Sequence, residues 1–122
     1  METNILPIFV WEDCLKYFGQ PHLAKGTLGE YKQQLMVTRQ AFNQAVKEQN
    51  PQRVTYLLNR LLGAAIYCGT QRLHRTLSDN LNYTQTVPAQ IVVDEINQEI
   101  DDALFAISQF LQKQPQVEME SL

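Results

Sequence analysis

The chain has only two cysteines, Cys14 and Cys68, and only two histidines, His22 and His74, in 122 residues. It contains no CxxC pair and no His/Cys cluster at metal-ligand spacing, so no metal and no thiol-redox motif is expected. Basic residues are few and scattered: ten Lys and Arg against thirteen Asp and Glu give a net charge of -3. Without a basic run or stripe to neutralise phosphates, nucleic acid is not an expected partner. No apolar stretch approaches the ~20 residues of a membrane span. The start, Met1-Glu2-Thr3-Asn4, lacks the basic beginning and long apolar run of a signal peptide. A cytoplasmic protein is the expectation, with both thiols reduced in apolar helical surroundings. A Cys14–Cys68 disulfide is disfavoured in that compartment.

What is present is helical periodicity. Hydrophobic content of 44% with 19% charged residues fits one ordinary globular domain. A short amphipathic helix is expected from Trp11 to Gly19, broken at Gln20-Pro21. From about Pro21 to Asn50, residues Ala24, Leu28, Tyr31, Leu35, Thr38, Phe42 and Ala45 recur three and four apart, which puts them on one face. Asn50-Pro51 supplies a cap and a first-turn proline for the next helix, which runs to Cys68 and stops at Gly69. A further long segment carries Leu73, Leu77 and Leu81 and dissolves over 82–86. After Val87-Pro88 the last helix shows Ile96, Ile100, Ala103, Ile107 and Phe110.

No period-2 alternation long enough for a core strand is present. The expected fold is therefore all-α: an antiparallel up-down-up-down four-helix bundle with a short additional N-terminal helix. Its boundaries are an extension over 1–8, the bundle over 9–112 and a flexible tail over 113–122. Val54, Leu58, Leu61, Ala65, Leu77, Ile100 and Ile107 should share one core.

The helix around Asn59 has two unlike faces. At 100° per residue, Val54, Leu57, Leu58, Leu61, Ala64, Ala65 and Cys68 project backwards when Asn59 is set in front. The front stripe is Thr55, Tyr56, Asn59, Leu62, Gly63, Ile66 and Thr70. A glycine inside an exposed helix costs roughly 0.5–1 kcal/mol relative to alanine. Gly63 therefore suggests that something approaches the backbone there, either a partner or a neighbouring helix of the same bundle. Leu62 and Ile66 beside it suggest an interface, unless they pack inward.

The stretch Leu58-Asn59-Arg60-Leu61-Leu62-Gly63, with Gly69 six positions on, resembles the signature of the histidine-containing phosphotransfer (HPt) domain. That family writes an apolar residue, the phospho-accepting His, any residue, Leu, Lys and Gly, then a second Gly. Leu58, Leu61, Gly63 and Gly69 are in register, Leu73 sits where a family Leu commonly follows, and Phe9 to Gly19 resembles the family's opening helix. Asn59 stands at the His position and Leu62 at the Lys position. The resemblance implies a helical bundle that docks the receiver domain of a response regulator or hybrid histidine kinase through the front stripe.

The chemistry is missing. Imidazole offers a lone pair near neutral pH, whereas the nitrogen lone pair of a carboxamide is delocalised into its carbonyl, so Asn59 cannot act as the nucleophile. Leu62 supplies no cation for phosphoryl oxygens. His74, between Arg72 and Arg75, and His22, beside Pro21, lack the surrounding motif. The carboxylates Asp94, Glu95, Glu99, Asp101 and Asp102 read as a solvated face, and Ser78-Asp79 near His74 has no nucleophile elbow. The expectation is a non-catalytic HPt-like protein, monomeric or weakly dimeric, with no cofactor, that blocks or tunes a phosphorelay. The alternatives are an interaction or dimerisation module using Tyr56, Leu62 and Ile66, and an active phosphotransfer protein using another His.

Overall fold

The computed structural model describes residues 6–81, 83 and 85–120, with 114–120 described in backbone only. Five helices account for the regular structure of the described residues: α1 (Trp11–Phe18), α2 (Pro21–Lys47), α3 (Pro51–Tyr67), α4 (Gln71–Asp79) and α5 (Gln90–Glu120). Among the described residues there is no strand, and no helix is long and apolar enough to cross a membrane.

Each boundary has a local cause. Gly19 closes α1 at φ 80°, and Pro21 begins α2 with the ring-fixed φ of a first helical position. The side chain of Asn50 accepts from the Arg53 amide at 3.1 Å and caps α3, ahead of Pro51. Gly69 ends the α3 junction at φ 79°. The expected long fourth segment is only nine residues. Asn80 turns its amide back to the Thr76 carbonyl at 2.8 Å, taking an acceptor at the helix end. Leu81, read as part of that helix, lies beyond it and packs on the core. The backbone of α5 is helical to Glu120. The proposed tail over 113–122 therefore begins in helix, its last two residues lying outside those described.

The α2 stripe from Ala24 to Ala45 is buried at every one of its seven expected positions. It meets Val54, Leu58, Leu61 and Ala65 of α3, Leu77 of α4 and Ile100 and Ile107 of α5 in one core. Full burial of a Leu or Ile contributes about 1.5–3 kcal/mol, so the core rather than helix propensity holds these elements. α2 packs on α3 and α5, and α4 packs on α3 and α5, while α1 leans on α2 and α3. The described residues leading into α1 are fastened as well. Val10 donates to Gly69 O at 2.9 Å, the Arg72 amide donates to Pro7 O at 3.3 Å, and the rings of Phe9 and Trp11 pack tilted against Phe110, centroids 5.5 and 4.7 Å away.

The acidic residues of α5 are not a solvated face throughout. Glu99 is 6% exposed and accepts from Arg72 Nε at 2.9 Å, and Asp102 accepts from Arg72 Nη2 at 2.7 Å. Asp101 pairs with Arg39 of α2. The sequence alone points to a solvated face here because the partners of these carboxylates lie on helices distant in sequence.

Candidate functional site

α3 presents its outer face because its inner face is occupied by Val54, Leu57, Leu58, Leu61 and Ala65. Asn59 is exposed and turns its Nδ2 back to the Thr55 carbonyl at 3.0 Å. Gly63 is exposed, and a methyl group built on it would meet no atom outside its own helix turn within 4 Å. Close packing of a neighbouring helix therefore does not explain this glycine. Tyr56 and Ile66 are exposed at 51% and 44%.

The other three stripe residues differ from expectation. Thr70 is fully buried. It follows the left-handed Gly69, where the helical step no longer applies. Its Oγ1 donates to Ala65 O at 3.2 Å, so the 2.7 Å contact with Tyr31 Oη is a bond in which the tyrosine donates. Thr70 is an internal strut and not a docking residue. Leu62 is half-buried and packs against the core. Thr55 is half-buried too, its Oγ1 donating to Tyr83 O at 2.8 Å and accepting from Tyr83 N at 3.3 Å, which latches the segment after α4.

These corrections have one sense of rotation. Relative to Asn59, Thr55 and Leu62 lie roughly 40° and 60° to one side, while Gly63, Tyr56 and Arg60 lie roughly 40°, 60° and 100° to the other. The exposed arc is therefore centred near Gly63 and Tyr56. It includes three residues that the sequence reading left out: Arg53, Arg60 and Tyr67. The guanidinium carbons of Arg53 and Arg60 sit 5.8 and 5.9 Å from the Tyr56 ring centroid. Tyr67 packs edge-on against Tyr17 of α1 at 4.7 Å, both rings about half exposed. Arg53, Tyr56 and Arg60 at i, i+3 and i+7 were the legible signal, since that spacing stacks three side chains on one helix face.

Neither histidine stands in for Asn59 at the centre of this face. His22 is exposed at the start of α2. His74 is half-buried and lines a pocket of about 320 Å³ with Asp13, Gln71, Arg75 and Ile66, where Gln71 donates to Asp13 at 2.6 Å. Among the described residues no group of three His, Cys, Asp or Glu is placed to hold a metal ion. Both thiols are free, and burial pushes them up, Cys14 to about 11 and Cys68 to about 12. A thiol held neutral is a core group and not a nucleophile. The arrangement on α3 can hydrogen-bond, stack and attract anions, but it offers no nucleophile. Comparison of the chain with known families, curated proteins and solved structures returned no match.

Proposed function

We propose that the protein is a non-catalytic HPt-like module that docks the receiver domain of a response regulator or hybrid histidine kinase and thereby blocks or tunes phosphotransfer. Gly63 carries this reading. Of the two glycines in the resemblance, Gly69 has an internal reason to be glycine, because a Cβ there would lie 2.3 Å from Val10 O. Gly63 has none: it stands in open space, as Gly26 and Gly29 of α2 also do, but it alone lies beside Asn59 in the register of the resemblance, where it lowers helix stability without local return. A partner that needs to reach the α3 backbone accounts for it.

The up-down-up-down four-helix bundle of the HPt type belongs to the same proposal. Arg39 pairs with Asp101 and Asn43 with Asn97, so residue numbers run in opposite directions along the α2–α5 seam, as the proposal requires. The setting proposed is the cytoplasm, with the protein monomeric or weakly dimeric. Dimerisation through Tyr56, Leu62 and Ile66 is less well supported, since Leu62 is partly engaged with its own core. Transfer through His74 or His22 would need a second acceptor outside the resemblance.

The test is calorimetric titration against receiver domains from the same host. Ile66→Asp and Gly63→Phe should each weaken docking by about 1–3 kcal/mol, while Asn59→His should leave affinity nearly unchanged. Incubation with a phosphorylated receiver should leave the protein without acid-labile phosphate. If no receiver binds more tightly than about millimolar, near -4 kcal/mol, receiver docking is wrong. Label on His74 or His22 would refute inertness.

A further inference from the structure

The chain has five arginines. Arg39, Arg72 and Arg75 each hold a carboxylate. Arg53 and Arg60 do not: among the described residues neither has a carboxylate within 4 Å, and both lie over the ring of Tyr56 instead. Nothing on their own helix neutralises them either, because α3 alone among the five helices contains no Asp or Glu. In a chain of net charge -3, this leaves two guanidinium groups without a carboxylate on the exposed arc, Arg60 next to Asn59 in sequence and Arg53 six residues before it, with Tyr56 between them.

Stacking on an aromatic ring restrains a long side chain while leaving its N–H donors free at the edge. Two guanidinium groups restrained at one ring concentrate positive charge on this face, which suits an oxyanion, for which charge-assisted hydrogen bonds are the strong contact. Asn59 adds to the same neighbourhood. One N–H of its Nδ2 is used on Thr55 O, which leaves the second as a donor. Leu62, at the position of the family's Lys, contributes no charge, whereas the arginines supply positive charge on the opposite flank of the helix.

Resting on the receiver-docking reading above, we infer that Arg53 and Arg60 make this face selective for the phosphorylated receiver, its aspartyl phosphate being the anion they meet. The protein then acts on the phosphorylated pool. It holds the acyl phosphate against a surface with no nucleophile to accept it. Binding is the whole of the step, and no bond to phosphorus is made or broken.

The experiment measures affinity for a host receiver in two states, with Mg²⁺ alone and with Mg²⁺ plus beryllofluoride, which mimics the aspartyl phosphate. The loaded state should bind about tenfold more tightly, the scale of one or two charge-assisted hydrogen bonds. Arg53→Gln and Arg60→Gln should each reduce that ratio, and the double variant should bring it near one, whatever it does to the affinity for the unloaded receiver. Raising the salt concentration should narrow the gap as well. Both positions are exposed, so circular dichroism should confirm unchanged folding. Equal affinity for the two states, or a preference that the double variant retains, overturns the selectivity and leaves docking standing. No binding in either state overturns both.

Discussion

Replacing Gly69 with alanine should destabilise the protein by about 2–5 kcal/mol, although it adds a single methyl group. The left-handed φ of 79° costs a non-glycine residue about 1–2 kcal/mol. The new Cβ would lie 2.3 Å from Val10 O and 3.2 Å from Val10 C, and both are backbone atoms that no rotamer change can move aside. The segment before α1 has to shift. That breaks the 2.9 Å Val10–Gly69 hydrogen bond, which contributes about 0.5–1.5 kcal/mol. It also disturbs the tilted ring contacts of Phe9 and Trp11 with Phe110, where aromatic geometry is worth a similar amount. Urea denaturation followed by helical circular dichroism is the assay. With m near 2 kcal/mol per M, the midpoint should fall by about 1–2.5 M. Two control glycines separate the contributions. Gly19→Ala has a positive φ of 80° but open space, so it should show the backbone cost alone. Gly63→Ala has neither constraint and should stabilise by about 0.5–1 kcal/mol. A loss below about 1 kcal/mol at Gly69, or destabilisation at Gly63, would refute the reasoning.

Two further perturbations test the interior. Arg72→Met strands buried Glu99 without its partner and should cost about 3 kcal/mol, the lower end for a buried pair because Arg72 is partly solvated. Arg72→Met combined with Glu99→Leu should recover most of that loss, and a double variant no more stable than the single would argue against a paired interior charge. Stability should also fall in alkali. Burial raises Cys14 and Cys68 from 9.0 to about 11 and about 12, and raises Tyr31 despite its bond to Thr70. A raised folded value favours the neutral form, so this stabilisation is complete below pH 9.0 and disappears as pH climbs through the folded values. Urea midpoints from pH 7.5 to 11 should hold steady and then drop, and a flat profile to pH 11 would contradict the burial assigned to these groups.

Much of the helical framework was legible because burial follows period and punctuation. The stripe from Ala24 to Ala45, the cap at Asn50 and the stop at Gly19 are local properties, and all three appear where the sequence puts them. Long-range pairings were not legible. The acidic run on α5 looked solvated because Arg39 and Arg72, which hold Asp101, Glu99 and Asp102, lie on other helices. The short α4 has a local cause: Leu81 continues the apolar spacing of Leu73 and Leu77, yet Asn80 has already turned its amide back to Thr76 O and ends the helix.

On α3 the discrepancy came from the choice of reference. Setting Asn59 in front borrowed its orientation from the resemblance, whereas the apolar residues define a direction of their own. The buried set Val54, Leu57, Leu58, Leu61, Ala65 and Cys68 is centred opposite a point roughly 30° from Asn59, close to Gly63. Rotating by that amount moves Leu62 and Thr55 to the shoulder and brings Arg53, Arg60 and Tyr67 out, as observed. Thr70 needed a different correction, since Gly69 ends the helix and a helical step cannot be carried past it. The midpoint of the exposed arc is thus the one position with no side chain. Under the docking proposal, closest approach falls at Gly63, with Asn59 on one flank and the guanidinium pair over Tyr56 on the other. An interface of the kind proposed depends on backbone access and charge, so under that proposal docking does not require the reactive imidazole.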